Sequence, residues 1–383
     1  MTYIHVQTPG AAGDLKHVLS SATRIALDCE AAGFHRYDNR LCLVQVTVGG
    51  DTYVVDPLAV DIAPVFGDVL EREDVPVVMH GSDFDLRLLG GQYGLRIHGL
   101  FDTQIAASLL GVDALGLAAL LESRFGVKLS KKYQRADWAE RPLSDEMLDY
   151  AASDTRHLFG LADELAGELA AAGRADWAEQ ECRALESVAV AADEADVQRE
   201  DPVVRVKGAR DLSVHQVAAL REALNWRDEI ARAKDRAPFR VVGDPPLLDA
   251  VAQHPRSVEE LADIRGFPGV LARSDGAILI QRLQAVTEAD ASELTPYPRA
   301  DTRGPGRPSP EVEELANRLK DVRNRIAGEL GLPRGTVLSN SVLLQVASEA
   351  PRSMEALAAI EGMRPWRVEL LGRDLLEVLE KAG

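Results

Sequence analysis

Two carboxylates stand two residues apart in an apolar segment near the N-terminus, where residues 25–30 read Ile-Ala-Leu-Asp-Cys-Glu. The apolar residues predict a central strand, and side chains at positions i and i+2 of a strand point to the same face. Asp28 and Glu30 therefore share one face, while Leu27 and Cys29 point the other way into packing. Burying both carboxylates is unfavourable unless a cation compensates them, and a divalent metal suits oxygen ligands. The alternative is a strand end in solvent, where acidic residues carry no desolvation penalty.

Two further acidic segments offer related chemistry. Tyr150 and Asp154 are four residues apart in a predicted helix, so they share one helix face. A phenol there can position a water beside a metal-binding carboxylate; the alternative is a surface helix with a half-buried tyrosine. In residues 80–85, His-Gly-Ser-Asp-Phe-Asp, a helix follows a short strand. Asp83 or Asp85 then faces a cleft at the strand end, unless it only complements the helix dipole.

The elements that position these residues are mixed in the N-terminal part of the chain. Alternating and apolar runs predict an antiparallel meander of three strands, at residues 25–30, 41–48 and 52–55. A short buried strand is predicted at residues 76–79. A helix is predicted to begin near residue 102, with Asp102 or Thr103 as its N-cap. Beyond residue 144 the chain is predicted to be almost entirely helical.

An internal repeat organises the C-terminal half. Residues 255–262, Pro-Arg-Ser-Val-Glu-Glu-Leu-Ala, align with residues 351–358, Pro-Arg-Ser-Met-Glu-Ala-Leu-Ala, at an offset of 96. We therefore expect two copies of one small helical module, joined by a linker rich in Pro, Gly and Arg. The same offset pairs further residues: Arg227 with Arg323, Leu247 with Leu343, Ile264 with Ile360 and Gly266 with Gly362.

Composition and charge bound the possible functions. No apolar run reaches the roughly 18 residues of a membrane helix, and the N-terminus does not resemble a secretory signal. The three cysteines form no CxxC pair, which suits a reducing compartment, so we expect a cytoplasmic protein. The net charge of −18 argues against nucleic-acid binding, because such proteins are usually basic. That argument is weak, since bound divalent cations reverse the local field of an acidic site.

The three acidic motifs, taken in chain order, resemble the exonuclease motifs of the DEDD superfamily in its tyrosine-containing subgroup. These motifs are Asp28-Cys-Glu30, the segment 80–85 and the segment 150–154. Residues 41–46, 101–106 and 136–143 also look like ribonuclease D. The repeat is similar to the helical HRDC domain that ribonuclease D shares with RecQ-type helicases, although Val322 replaces Trp226 in the second copy.

The resemblance implies a fold of class α/β plus all-α, in which a ribonuclease H-like mixed-sheet exonuclease domain precedes two small helical bundles. It also implies that two divalent ions, Mg or Mn, bind the four carboxylates Asp28, Glu30, Asp85 and Asp154, and that Tyr150 orients the attacking water. We expect five segments: an exonuclease domain at 1–175, a helical connector at 176–206, a first HRDC-like domain at 207–290, a linker at 291–309 and a divergent second HRDC-like domain at 310–383.

The implied activity is 3′→5′ exoribonuclease trimming of structured RNA precursors, above all tRNA, which releases nucleoside 5′-monophosphates. No membrane and no obligate protein partner are expected. Cations interleaved with an aromatic residue suit a single strand, unless they form only a solvated loop. RNA contacts are accordingly predicted for Lys128, Lys131, Lys132, Tyr133 and Arg135, and in the first helical module for Arg227, Lys234 and Arg240. The alternatives are a DNA exonuclease of repair and a catalytically inactive RNA-binding protein.

Overall fold

A six-stranded mixed sheet forms the N-terminal domain of the computed structural model, which describes residues 3–191, 201–298 and 308–382. Its strands are β1 (Ile4–Val6), β2 (Ile25–Ala31), β3 (Leu41–Val48), β4 (Asp51–Val55), β5 (Val77–Met79) and β6 (Leu100–Asp102). They lie in the order β1-β4-β3-β2-β5-β6; β2, β3 and β4 are antiparallel, and the other neighbouring pairs are parallel. The predicted meander and the buried strand at 77–79 are confirmed. The prediction lacked β1 and β6, which have three residues each and, unlike β5, are not buried along their whole length.

Helices cover both faces of this sheet, which explains why β3 is buried along its whole length. The helices are α1 (Pro9–Ser20), α2 (Ala63–Leu70), α3 (Asp83–Tyr93), α4 (Thr103–Leu109), α5 (Leu117–Phe125), α6 (Asp145–Arg156), α7 (Leu158–Ala171) and α8 (Ala175–Ala191). Helices α1, α2, α3 and α8 pack on one face, while α6 and α7 pack on the other. The N-cap of α4 is Asp102, whose side chain accepts from the backbone N–H of Gln104 and Ile105.

Two helical modules follow the mixed-sheet domain. The first contains α9 (Val214–Ala233), α10 (Pro238–Val241), α11 (Asp244–Gln253), α12 (Val258–Asp263) and α13 (Gly269–Glu288), preceded by two short 3-10 helices. The second contains α14 (Pro310–Leu330), α15 (Arg334–Val337), α16 (Asn340–Glu349), α17 (Met354–Ala358) and α18 (Pro365–Glu380). Every helix of the second module begins 96 residues after its counterpart, so the sequence repeat is also a structural repeat. The whole arrangement confirms the predicted fold class.

The two modules dock on different surfaces of the mixed-sheet domain through the same turn, the one that follows the long first helix. In the first module, the Asp235 carboxylate accepts from the Tyr37 backbone N–H (3.3 Å). In the second, the carbonyl of Leu330 accepts from Arg174, which lies just before α8 (3.0 Å). Both modules therefore contact the sheet domain directly.

Helix α8 carries a second contact with the last module. Trp177 of α8 stacks on Trp366 of α18, with ring centroids 4.4 Å apart, and the Trp366 indole N–H donates to Glu181 (2.7 Å). The counterpart of Trp366 in the first module is Val270, which is 74% exposed. Within the described ranges, no helix has the length and apolar character needed to cross a bilayer.

Candidate active site

The sheet and α6 bring two of the acidic motifs together. Alternation along β2 sends Leu27 and Cys29 into the core beneath α1–α3, as predicted. Asp28 and Glu30 consequently face α6, which packs across β2, β3 and β4. A buried hydrogen bond between Thr47 of β3 and Thr155 of α6 (2.8 Å) fixes that packing. This contact places the Tyr150–Asp154 face of α6 over the two β2 carboxylates.

Helix α3 supplies the remaining carboxylate, and the structure decides between the two candidates in its first turn. Asp85 is only 8% exposed and faces the Asp28 side of the site. Asp83 instead points to the surface and pairs with Arg87 one turn later (2.9 Å). The segment 80–85 therefore brings Asp85 to the other carboxylates.

Asp102, which the sequence identified only as a helix cap, also holds the start of α3. Its buried carboxylate accepts from the backbone N–H groups of Gly81 (3.0 Å) and Ser82 (2.8 Å) and from the Ser82 hydroxyl (2.8 Å). These bonds fix the turn between β5 and α3. Asp102 thereby orients the helix that carries Asp85.

Burial raises the pKa of all four carboxyl groups, and repulsion by the Asp28 charge adds to the rise at the other three. Burial raises the pKa of Asp28 to about 7 and that of Asp154 to about 8, and the Asp28 charge adds to the effect on Asp154. The pKa of Glu30 and the pKa of Asp85 also lie well above their ordinary values, first through burial and then through repulsion by Asp28. Among the residues that the structure describes, no Lys, Arg or His forms an ion pair with any of the four. No cationic side chain of the described residues therefore compensates the charge of the cluster.

The chemistry of this donor set fits divalent metal ions. All four groups present carboxylate oxygens, the ligands that Mg and Mn prefer. In the described part of the chain, no three His, Cys, Asp or Glu side chains are already spaced to hold one ion. That spacing is compatible with Mg, which keeps several waters and usually takes one or two carboxylates plus substrate phosphates.

Tyr150 lies close enough to the carboxylates for their charges to act on its phenol. Its ring contacts Trp138 and Tyr133, with centroids 6.0 and 5.8 Å away. Burial, followed by repulsion from Asp154 and Glu30, raises the pKa of the phenol further. The hydroxyl therefore stays protonated at neutral pH and can orient a water, but it cannot act as a base.

Gln45 is a residue of this site that the sequence interpretation missed. It lies directly opposite Asp28 in the β2–β3 register, so its side chain shares the Asp28 face. The side chain is fully buried, and neither its oxygen nor its nitrogen has a hydrogen-bond partner among the described residues. The signal was a lone amide in the apolar strand Leu-Cys-Leu-Val-Gln-Val-Thr-Val.

The residues predicted to contact RNA fall into distinct groups. Three cations pair with carboxylates: Lys128 with Glu122 (3.5 Å), Lys132 with Glu146 (2.5 Å) and Lys234 with Asp275 (3.2 Å). The Tyr133 hydroxyl also donates to Glu146 (2.7 Å). Lys131, Arg135 and Arg240 form no ion pair among the described residues, so their charges stay available to a ligand.

Arg227 has an internal role instead. Its guanidinium donates to the Val242 carbonyl (3.1 Å) and to Asp244 (2.6 Å) at the start of α11. The counterpart in the second module, Arg323, makes the same pair of contacts, with Leu338 and Asn340. An arginine that fastens the same helix start in both copies is part of the module's framework.

Comparisons with known proteins find relatives for both the mixed-sheet domain and the two helical modules. A family model described as 3′-5′ exonuclease matches residues 3–170, and one described as HRDC domain matches residues 216–283 and 312–379. Ribonuclease D of Xanthomonas oryzae pv. oryzae is 31% identical over 360 residues, covering 93% of this chain and 93% of that protein. Ribonuclease D of Pseudomonas paraeruginosa is 30% identical over 360 residues, covering 94% and 92%. The crystal structure of Escherichia coli RNase D, described as an exoribonuclease involved in structured RNA processing, gives a TM-score of 0.71 at 25% identity, covering 100% of this chain and 99% of that one.

Proposed function

From the premise that the chain belongs to the ribonuclease D family and is a 3′→5′ exoribonuclease, we propose that it trims the 3′ ends of structured RNA precursors such as tRNA. Each cycle would hydrolyse the terminal phosphodiester and release a nucleoside 5′-monophosphate. The observation that carries this proposal is the cluster of four carboxylates, of which Asp85 is buried and the other three are partly buried, with no cationic side chain of the described residues paired to them and with a protonated tyrosine beside them. The RNA-processing relative from Escherichia coli supports a structured RNA substrate.

The roles of this chain's residues follow from their positions. Asp28, Glu30, Asp85 and Asp154 would hold two divalent ions, Mg or Mn. When bound, such ions supply charge for the scissile phosphate, an activated water and stabilisation of the leaving oxygen. Tyr150 donates its hydroxyl hydrogen bond to the attacking water and fixes its direction.

The domain limits stay part of the proposal: 1–175 for the exonuclease domain, 176–206 for the connector, 207–290 and 310–383 for the HRDC-like domains, and 291–309 for the linker. Residues 192–200 and 299–307 of the connector and linker lie outside the described residues. A cytoplasmic location and the absence of an obligate protein partner are likewise proposed.

A time course of RNA shortening tests the function. The substrate is a 5′-labelled, tRNA-like RNA with a single-stranded 3′ tail, in the presence of manganese, with a matched DNA alongside. We expect a ladder that shortens one nucleotide at a time on RNA and is absent with Asp154→Ala. Preferential shortening of DNA would instead favour the repair exonuclease, and no shortening of either would favour an RNA-binding protein.

The first turn of α3 offers a matched pair for the same assay. Asp85→Asn is expected to lower turnover at least about 10³-fold, because metal ions contribute several kcal/mol to such reactions. Asp83→Asn, two residues away, removes only a surface pair with Arg87 and should leave turnover near that of the wild type. Equal losses in both variants would contradict the assignment of Asp85.

A further inference from the structure

We propose that Phe34 and Phe239 form a stacking platform for unpaired bases of the RNA 3′ tail, upstream of the carboxylates. The inference rests on the proposed function, because a trimming site must hold the strand whose end it removes. The platform consists of these two rings and the guanidinium groups of Arg135 and Arg240.

The two rings are in contact and remain open to solvent. Their centroids are 5.5 Å apart, with 57° between the ring planes. Phe34 is 40% exposed and Phe239 is 52% exposed. Large aromatic side chains usually bury most of their surface, and exposed apolar surface gathered in one place marks an interaction site.

Two arginines flank the exposed rings. The guanidinium carbons of Arg135 and Arg240 lie 5.6 and 5.4 Å from the centroid of the Phe34 ring. Neither guanidinium pairs with a carboxylate in the part of the chain that the structure describes. In a chain of net charge −18, two cations left without acidic partners beside open rings are suited to phosphate groups.

The platform lies close to the carboxylates because of chain connectivity. Phe34 follows Glu30 by four residues, in the loop that connects β2 to β3, so their Cα atoms are at most about 14 Å apart. Single-stranded RNA whose last phosphate reached Glu30 could therefore contact Phe34 within its terminal few nucleotides.

Three segments of the chain are tied together at this point. The backbone N–H of Ala237, in the first helical module, donates to the carbonyl of His35 (3.0 Å). The His35 ring also hydrogen-bonds the carbonyl of Arg135 (2.8 Å), at the end of the basic segment. These bonds hold Phe239 and Arg135 against the loop, so the first module completes a surface that the sheet domain presents only in part.

The chemistry of the platform favours single-stranded nucleic acid over a protein partner. Aromatic faces stack on bases of any sequence, while arginines contact the backbone and the base faces. Two rings are much less than the area that a stable protein interface buries. Exonucleolytic trimming acts on many end sequences, which suits recognition by stacking rather than by base edges.

Binding of a 5′-fluorescein-labelled, single-stranded oligoribonucleotide tests the platform. Full-length chains carry Asp154→Asn to prevent cleavage, and anisotropy gives Kd. We expect Phe34→Leu and Phe239→Leu each to weaken binding about fivefold or more, the range of a lost base stack. The control is Phe125→Leu, a ring that is 43% exposed on α5, which should change Kd less than about twofold.

Oligoribonucleotides with abasic sites in the 3′ tail make the test specific for stacking. The abasic tail should raise the Kd of the Asp154→Asn chain by the same factor as Phe34→Leu does with the intact tail. The abasic tail and Phe34→Leu combined should raise Kd no further than either change alone. In the cleavage-competent chain, the loss should lie in KM rather than in kcat.

The outcomes separate the two proposals. Equal Kd values for Phe34→Leu, Phe239→Leu and the Phe125→Leu control would overturn the platform, even if the wild type trims RNA. Additive losses from the abasic tail and the leucine variants would overturn it as well. If the wild type trimmed no RNA, the proposed function itself would fail. Thermal unfolding of each variant verifies that it is folded.

Discussion

At the scale of single residues, the desolvated carboxylates of the site set how the stability of the metal-free protein depends on pH. Folding raises the pKa of Asp28 to about 7 and that of Asp154 to about 8, so the folded chain retains protons that the unfolded chain has released. The free energy of unfolding contributed by these groups therefore falls as the pH rises from about 4 to about 8.

The neutral variant Asp154→Asn removes part of this loss of stability at high pH, because it places no charge in the site. We expect it to raise the stability of the EDTA-treated protein by about 1 kcal/mol or more near pH 8 and much less near pH 5, while it abolishes turnover. Thermal unfolding at the two pH values measures the difference. A difference between variant and wild type that did not change with pH would contradict the assigned burial of the charge.

Tyr150 gives the second prediction at this scale. Tyr150→Phe keeps the ring contacts with Trp138 and Tyr133 but removes the hydroxyl hydrogen bond to the attacking water. We expect a folded enzyme that is slower by about 10²-fold, in kcat rather than in KM. Because the raised pKa keeps the phenol protonated, the pH profile of the remaining activity should match that of the wild type. A changed profile would indicate that the phenol acts as a base.

At the scale of helices, the repeated arginine fastens a helix start. Arg227→Met leaves the Val242 carbonyl and Asp244 without their shared donor, and Arg323→Met does the same in the second copy. We expect each change to lower stability by about 2 kcal/mol, the contribution of hydrogen bonds to a charged group. RNA affinity of the folded Arg227→Met protein should stay within about twofold of the wild type. A loss of RNA binding with an unchanged melting temperature would show instead that Arg227 contacts RNA.

At the scale of the whole molecule, the second module docks where its backbone at Gly331 lies against the backbone of the sheet domain at Gly111. A Cβ at Gly111 would lie 2.5 Å from the carbonyl oxygen of Gly331, and the φ of Gly111 is +78°. Gly111→Ala should therefore strain the turn and also push the module away. Gly94 provides the control, since its φ is +66° and no atom lies within 4 Å of its added Cβ.

Thermal unfolding and limited proteolysis compare these two variants. Gly94→Ala should lower the free energy of unfolding only by the cost of placing a Cβ-bearing residue in the left-handed region, about 1–2 kcal/mol. Gly111→Ala should lower the free energy of unfolding by more than that. It should also open the Trp177–Trp366 contact, so that a protease cleaves the chain around this contact faster. Identical behaviour of the two variants would show that the second module is not held at Gly111.

The sequence by itself determined what is local or periodic. Alternation along residues 25–30 decided that Asp28 and Glu30 share a face, and helical spacing did the same for Tyr150 and Asp154, because side-chain direction follows from backbone geometry. The offset of 96 predicted the structural repeat, helix by helix. Three motifs in the right order identified the family, which no single motif could do.

Only the tertiary structure decided which residues meet across long stretches of chain. It placed Asp85 beside Asp28, as the resemblance had implied, set the Gln45 amide opposite Asp28, and bound Arg227 to the start of a helix in its own module. It also brought Phe34 and Phe239 together from different domains. The last two contacts join segments that are far apart in sequence, so the spacing of the residues does not predict them.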